Sequence, residues 1–107
     1  MKDESFKDFV LDQLSALEGL SGRAMFGGFG IYAGEAFFAI VFEGRLYFKT
    51  DAQTRPAYVE RGMEPFRPSA KQSLTSYYEV PLEVVEDAAQ LAVWARAAAR
   101  GVASGTT

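Results

Sequence analysis

Gly27-Gly28-Phe29-Gly30 places three glycines in four positions, inside the stretch RAMFGGFGIY at 23–32. Glycines at such spacing can cradle a phosphate when backbone N–H groups and a helix N-terminus converge on the anion. The surrounding residues do not supply that setting. A dinucleotide-binding turn wants G-x-G-x-x-G between a strand and a helix, and a P-loop wants Gly-Lys followed by Ser or Thr. Here Gly30 runs into Ile31-Tyr32, a strand-forming pair. The glycines are therefore read as a β-bulge or sharp bend between two strand segments, with Phe26 and Phe29 directed into the core.

The densest acidic group is Glu79, Glu83, Glu86 and Asp87. Carboxylates in such number can hold a divalent cation or act as general acids. They also suit a helix N-terminus, where they cap free amides and complement the dipole, and Val84 and Val85 interrupt the cluster. The capping reading is preferred, and neither a metal nor a cofactor is expected. The chain has no Cys and no His. That removes thiol nucleophiles, disulfides, Cys/His zinc sites and the commonest general base. No nucleophile–base pair assembles from what is left, so a non-enzymatic role is expected. The formal charge is -3 and the eleven basic residues are scattered. This argues against direct nucleic-acid binding, which draws its affinity from Lys and Arg neutralising phosphates.

What the chain does offer is surface. Tyr32, Tyr47 and the pair Tyr77-Tyr78 can form an aromatic binding surface or divide between a core and a half-exposed position. Arg23, Arg45 and Arg67 lie on or beside expected strands. They either cluster on the rim of a sheet, where guanidinium groups suit carboxylate or phosphate pairing, or make ion pairs with Glu35, Glu43 and Glu64.

The elements that must position these residues follow from hydrophobic spacing. Phe6, Phe9, Val10, Leu14 and Leu17 mark an amphipathic helix over 3–18, ended by Gly19 and Gly22. Residues 23–49 read as strands. Within them 36–42, AFFAIVF, is apolar on both faces, with Phe38, Ile40 and Phe42 on one side and Phe37, Ala39 and Val41 on the other. Glu43-Gly44 turns this strand back into 45–49. A helix over 54–62 follows, its first turn accommodating Pro56. A short strand at 64–67, a loop at 68–73 and a strand at 74–80 come next. A short turn at 83–86 precedes a final helix, capped at Asp87 and carrying the stripe Ala88, Leu91, Ala95 and Ala98. Residues 102–107 are expected to fray. The order α-β-β-β-α-β-β-α, with short connections between strands, predicts an α+β two-layer sandwich. It would have an antiparallel sheet of about five strands and three helices in a single domain over 1–107.

Against that frame of elements, several motifs carry a resemblance. GRAMFGGFGIY at 22–32, FAIVFEGRLYFKTD at 38–51, PF at 65–66, SYYEVPLEVVED at 76–87 and LAVWARAA at 91–98 are together similar to the N-terminal domain of the TfoX/Sxy family, regulators of bacterial competence genes. The resemblance runs over nearly the whole chain. It implies a two-layer fold with an antiparallel sheet, related in architecture to secretion-chaperone-like domains. It also implies a transcriptional regulator or coactivator acting through protein contacts, and it transfers no catalytic residues. The helical C-terminal domain of longer members is expected to be missing.

A sheet with helices on one side leaves its other face wet or gives it to a partner. The residues expected on that interaction surface are Arg23, Tyr32, Phe37, Val41, Tyr47, Arg67 and Tyr77. The expected occupants are a protein partner, with transcription machinery the one the resemblance implies, or a second copy in a homodimer. The alternative function is a homo-oligomeric sensor that binds a small ligand on the sheet face or in a dimer cleft. The apolar runs fall far short of the roughly 18 residues of a membrane span and the N-terminus has no signal-like apolar region, so a cytoplasmic protein is expected.

Overall fold

The structure, a computed structural model, describes residues 2–25, 27–67 and 74–103. Helix α1 (Lys2–Gln13) leads into a four-strand meander, β1 (Leu20–Met25), β2 (Gly28–Ala33), β3 (Ala36–Phe42) and β4 (Arg45–Lys49). Helix α2 (Arg55–Glu60) follows, then β5 (Pro65–Phe66), β6 (Leu74–Glu79), the one-turn α3 (Leu82–Val85) and α4 (Ala88–Ala103). The strands form one sheet in the order β1-β2-β3-β4-β6-β5, and every neighbouring pair is antiparallel. This is the expected α+β sandwich, with one more strand and one more helix than the sequence suggested.

The extra strand arises at the glycines. Gly27 has φ 81°, a left-handed conformation that closes a turn. The segment read as one bent strand is therefore two strands paired edge to edge, from Leu20↔Ala33 to Met25↔Gly28. The strand also starts earlier than expected, because α1 stops at Gln13 and the chain turns through 14–18. Leu14 and Leu17 remain buried across that turn, so the 3, 4, 7 spacing reported their burial but not the helix end. Phe29 packs on the main core as expected, whereas Phe26, the 68–73 loop and the last four residues lie outside the described residues.

Local chemistry sets the later helices. Asp51 Oδ1 accepts the N–H groups of Gln53 and Thr54, each at 2.9 Å, ahead of the proline-bearing first turn of α2. The Thr54 amide, first among these contacts, holds the Asp51 carboxyl below its ordinary range. Asp87 Oδ1 accepts the Gln90 N–H at 3.1 Å and caps α4. On α4, Leu91, Ala95 and Ala98 are buried, and alanine keeps the helix close to the sheet. Ala88, expected in the same stripe, is exposed at the first turn.

All four helices contribute to one core against one face of the sheet. Val10 comes from α1 and Leu14 from the turn after it, Tyr58 from α2, Val84 and Val85 from α3, and Leu91 from α4. They meet Ile31, Phe38, Leu46 and Phe48. On β3 the register with β2 shifts, since Ile31 pairs with Ala39 while Tyr32 pairs with Phe37. Phe38 is the unpaired extra residue of a β-bulge. Strict alternation placed Ile40 and Phe42 with Phe38. The bulge reverses that assignment: Phe38, Ala39 and Val41 join the helix-covered core, and Phe37, Ile40 and Phe42 share the opposite face.

Gly28 and Gly30 are close-approach sites, and Gly22 is not. A Cβ on Gly28 would collide with the Val41 carbonyl oxygen and lie 3.2 Å from Phe42 Cδ1, whereas one on Gly22 would meet nothing nearer than Leu11 Cδ1 at 3.6 Å. Gly28→Ala is expected to lower the unfolding free energy by about 2–3 kcal/mol through overpacking against backbone. Gly22→Ala should stay within about 0.5 kcal/mol of the parent. Urea denaturation of the two variants checks the contrast, and equal midpoints would show that β2 and β3 tolerate separation.

Candidate interaction surface on the open sheet face

Among the described residues, the face of the sheet away from the helices carries two sets of aromatic contacts. In the first, the Arg23 guanidinium lies 4.9 Å from the centre of the Tyr32 ring, which stacks on Phe37 at 5.1 Å and 24°. The Phe37 ring in turn lies 5.4 Å from that of Tyr77. The Tyr77 hydroxyl donates to the Phe37 carbonyl oxygen at 2.8 Å, tying β6 to β3 across the end of β4. In the second set, Phe66 receives Tyr47 at 4.7 Å and Phe42 at 5.4 Å, both near edge-on, a favourable arrangement for the ring quadrupoles. Ile40 belongs to the same cluster and is fully buried.

The sequence positions these rings through glycine. A Cβ on Gly30 would run into Met25 Sδ and the Phe37 ring, so a bare backbone on β2 is what lets those side chains lie across it. The rim is polar. Arg45 Nη1 meets Glu79 Oε1 at 3.1 Å, and Lys49 stands on the same side of β4. Burial raises the Tyr47 phenol above its ordinary value, and the Glu79 carboxylate adds to that while Arg45 opposes it. Burial likewise pushes the Tyr77 phenol up to about 12, with Tyr32 contributing in the same direction. Phenols held this firmly protonated donate hydrogen bonds and pack; they do not act as bases near neutrality.

Of the residues expected on this surface, Arg23, Tyr32, Phe37 and Tyr77 meet in one continuous chain of contacts, and Tyr47 stands in the adjacent set. Val41 does not belong there. The bulge turns it under the helices, where it is fully buried. Arg67 is exposed just past β5 and joins neither set. Sequence reasoning missed Phe42, Ile40 and Phe66. Alternation counted from Phe38 put the first two on the wrong side, and a two-residue strand gave Phe66 no period to be read from. Of the arginines, Arg45 makes an ion pair, with Glu79, and Arg23 lies on an aromatic ring, an arrangement that neither reading anticipated.

Chemically, this face offers aromatic surface, one stacked guanidinium and a polar rim. Among the described residues no group of three or more His, Cys, Asp or Glu side chains is placed to hold a metal ion. Of the acidic group at 79–87, Glu79 pairs with Arg45 and Asp87 caps α4. Among the described residues no helix is long and apolar enough to cross a membrane.

Comparison with known proteins adds two findings. The TfoX N-terminal domain family matches residues 12–102 of the chain. The DNA transformation protein TfoX1 of Aliivibrio fischeri (strain ATCC 700601 / ES114) is 31% identical over 80 residues, covering 73% of this chain and 36% of that protein. The chain thus spans a little over a third of the length of that curated relative.

The Tyr77 contact has a pH signature. Its ionisation is raised in the folded chain from an ordinary 10.0 to about 12. The folded state therefore holds that proton longer than the unfolded state. The resulting stability is complete below about pH 10 and is lost as pH rises toward about 12. Tyr77→Phe should flatten part of that decline, while costing about 1 kcal/mol at neutral pH because the Phe37 carbonyl loses its donor. Unfolding midpoints measured between neutral and strongly alkaline pH test both effects, and an unchanged alkaline slope in the variant would count against them.

Proposed function

Because this chain belongs to the TfoX N-terminal domain family, we propose that it is a non-enzymatic protein-interaction module of transcriptional regulation that docks a protein partner on the open aromatic face of its sheet. The observation that carries this reading is the chain of contacts Arg23–Tyr32–Phe37–Tyr77 beside the Phe42–Phe66–Tyr47 set, on the face opposite the one where the described helices form the main core. Tyrosine and arginine are the residues that dominate binding energy at protein interfaces, because they bury large areas while keeping a polar contact. The rings here are held by one another and by the Tyr77 hydrogen bond, so a partner would order little side-chain freedom on binding. A formal charge of -3 favours a protein over a nucleic acid as the occupant. The relative's name, a DNA transformation protein, supports competence and DNA uptake as the regulated process.

A tagged pull-down from the native host at moderate salt, read by mass spectrometry, tests the proposal. Wild-type chain should enrich RNA polymerase or a transcription activator. A variant carrying Arg23→Glu and Tyr32→Ala, confirmed folded by its thermal melt, should lose that enrichment by about tenfold or more, the scale of a lost interface anchor. Equal capture by both proteins, or a direct and salt-dependent DNA affinity of the purified chain, would overturn it.

A further inference from the structure

The two edges of the sheet are built differently. The β5 edge is two residues long, contains Pro65 and is irregular in register between Pro65 and Phe66. Short length, proline and bulges are devices that stop a sheet edge from pairing with another chain. The β1 edge has none of these. It is six residues long, and Ser21, Gly22, Arg23 and Ala24 are all exposed.

The ladder shows which groups β1 presents. The Gly34 N–H donates to the Gly19 carbonyl oxygen at 2.9 Å, in register with the β1–β2 pairs. Hydrogen bonding alternates along an antiparallel pair, so Ser21, Arg23 and Met25 direct their backbone groups to β2. Leu20, Gly22 and Ala24 direct theirs outward from the sheet.

We propose that the β1 edge is a homodimerisation site, at which two copies of this chain pair their β1 strands antiparallel about a twofold axis through Gly22. In this register Gly22 faces the partner's Gly22, Leu20 faces the partner's Ala24, and all the outward backbone groups from Leu20 to Ala24 find mates. The side chains are compatible with themselves. Arg23 stands opposite the partner's Ser21, a hydroxyl that can accept from its guanidinium, and no like charges are set directly across the seam. The sheet becomes continuous through both copies, and the two open aromatic faces adjoin at the Arg23 side chains. The arrangement closes at two copies. An isologous contact uses up the β1 edges, and the blunted β5 edges at the far ends do not propagate it. A second copy is thus the occupant that satisfies the strand's own register and charge, and a foreign strand is the competing outcome.

Sedimentation equilibrium of the purified chain from micromolar to near-millimolar concentration tests the proposal. The expected result is a reversible shift to twice the chain mass. Ala24→Pro removes an outward N–H while sparing the bonds to β2, and is expected to leave only monomer. Ser21→Lys sets a second cation opposite the partner's Arg23 and should raise the dimer dissociation constant about threefold to tenfold. Thermal melts of both variants, compared with the wild type at dilutions where it is monomeric, separate loss of pairing from loss of fold. A wild type that stays monomeric throughout the range overturns the proposal. So does a dimer that survives both substitutions, and so does a β1 edge that pairs only with an added foreign peptide.

Discussion

The position of one extra residue in β3 governs how the remaining side chains are shared out. Between Tyr32↔Phe37 and Ile31↔Ala39 the chain inserts Phe38 without a partner. A strand has a period of two, so a single insertion exchanges the faces of everything beyond it. Because of it, Phe38, Ala39 and Val41 all contribute to the core beneath α4, and Phe37, Ile40 and Phe42 all look the other way. A strand apolar on both sides needs cover on both sides. The helices provide it on one, and aromatic side chains of the sheet provide most of it on the other.

That second cover depends on glycine. Gly28 and Gly30 leave β2 without side chains where Phe42, Phe37 and Met25 come down on it. The glycines quoted as a possible phosphate cradle thus have three separate jobs: a left-handed turn at Gly27 and two seats for neighbouring groups. Aromatic contacts and the Tyr77 hydrogen bond then join strands that do not pair directly, so the open face is braced from outside as well as through its ladder.

Much of this was legible in the residues. The absence of Cys and His bounded the chemistry before any element was placed. The short turns around Gly34 and Gly44 forced neighbouring strands to be antiparallel, and Asp87 with Gln90 marked the start of α4 through the hydrogen bond that the structure contains. Arg23, Tyr32, Phe37 and Tyr77 were picked out as surface residues and do meet there. Val41 was not recoverable, because nothing in AFFAIVF distinguishes an alternating strand from a bulged one. Every residue in it is apolar, and either register buries apolar groups. Gly27 closes a turn between two paired strands, which the reading of the glycines as a bulge or sharp bend did not separate. Phe66 sits in a strand too short to show any period at all.

The sequence by itself determined the class of fold, the antiparallel meander, the cap of α4 and the poverty of catalytic groups, because each of these rests on residue type and on neighbours within a few positions. Only the tertiary structure decided which apolar face of β3 the helices cover, which arginine lies on a ring and which on a carboxylate, and which edge of the sheet is left long and unprotected. Those outcomes depend on register between segments far apart in the chain. A shift of one residue there changes partners completely while leaving local propensity unchanged.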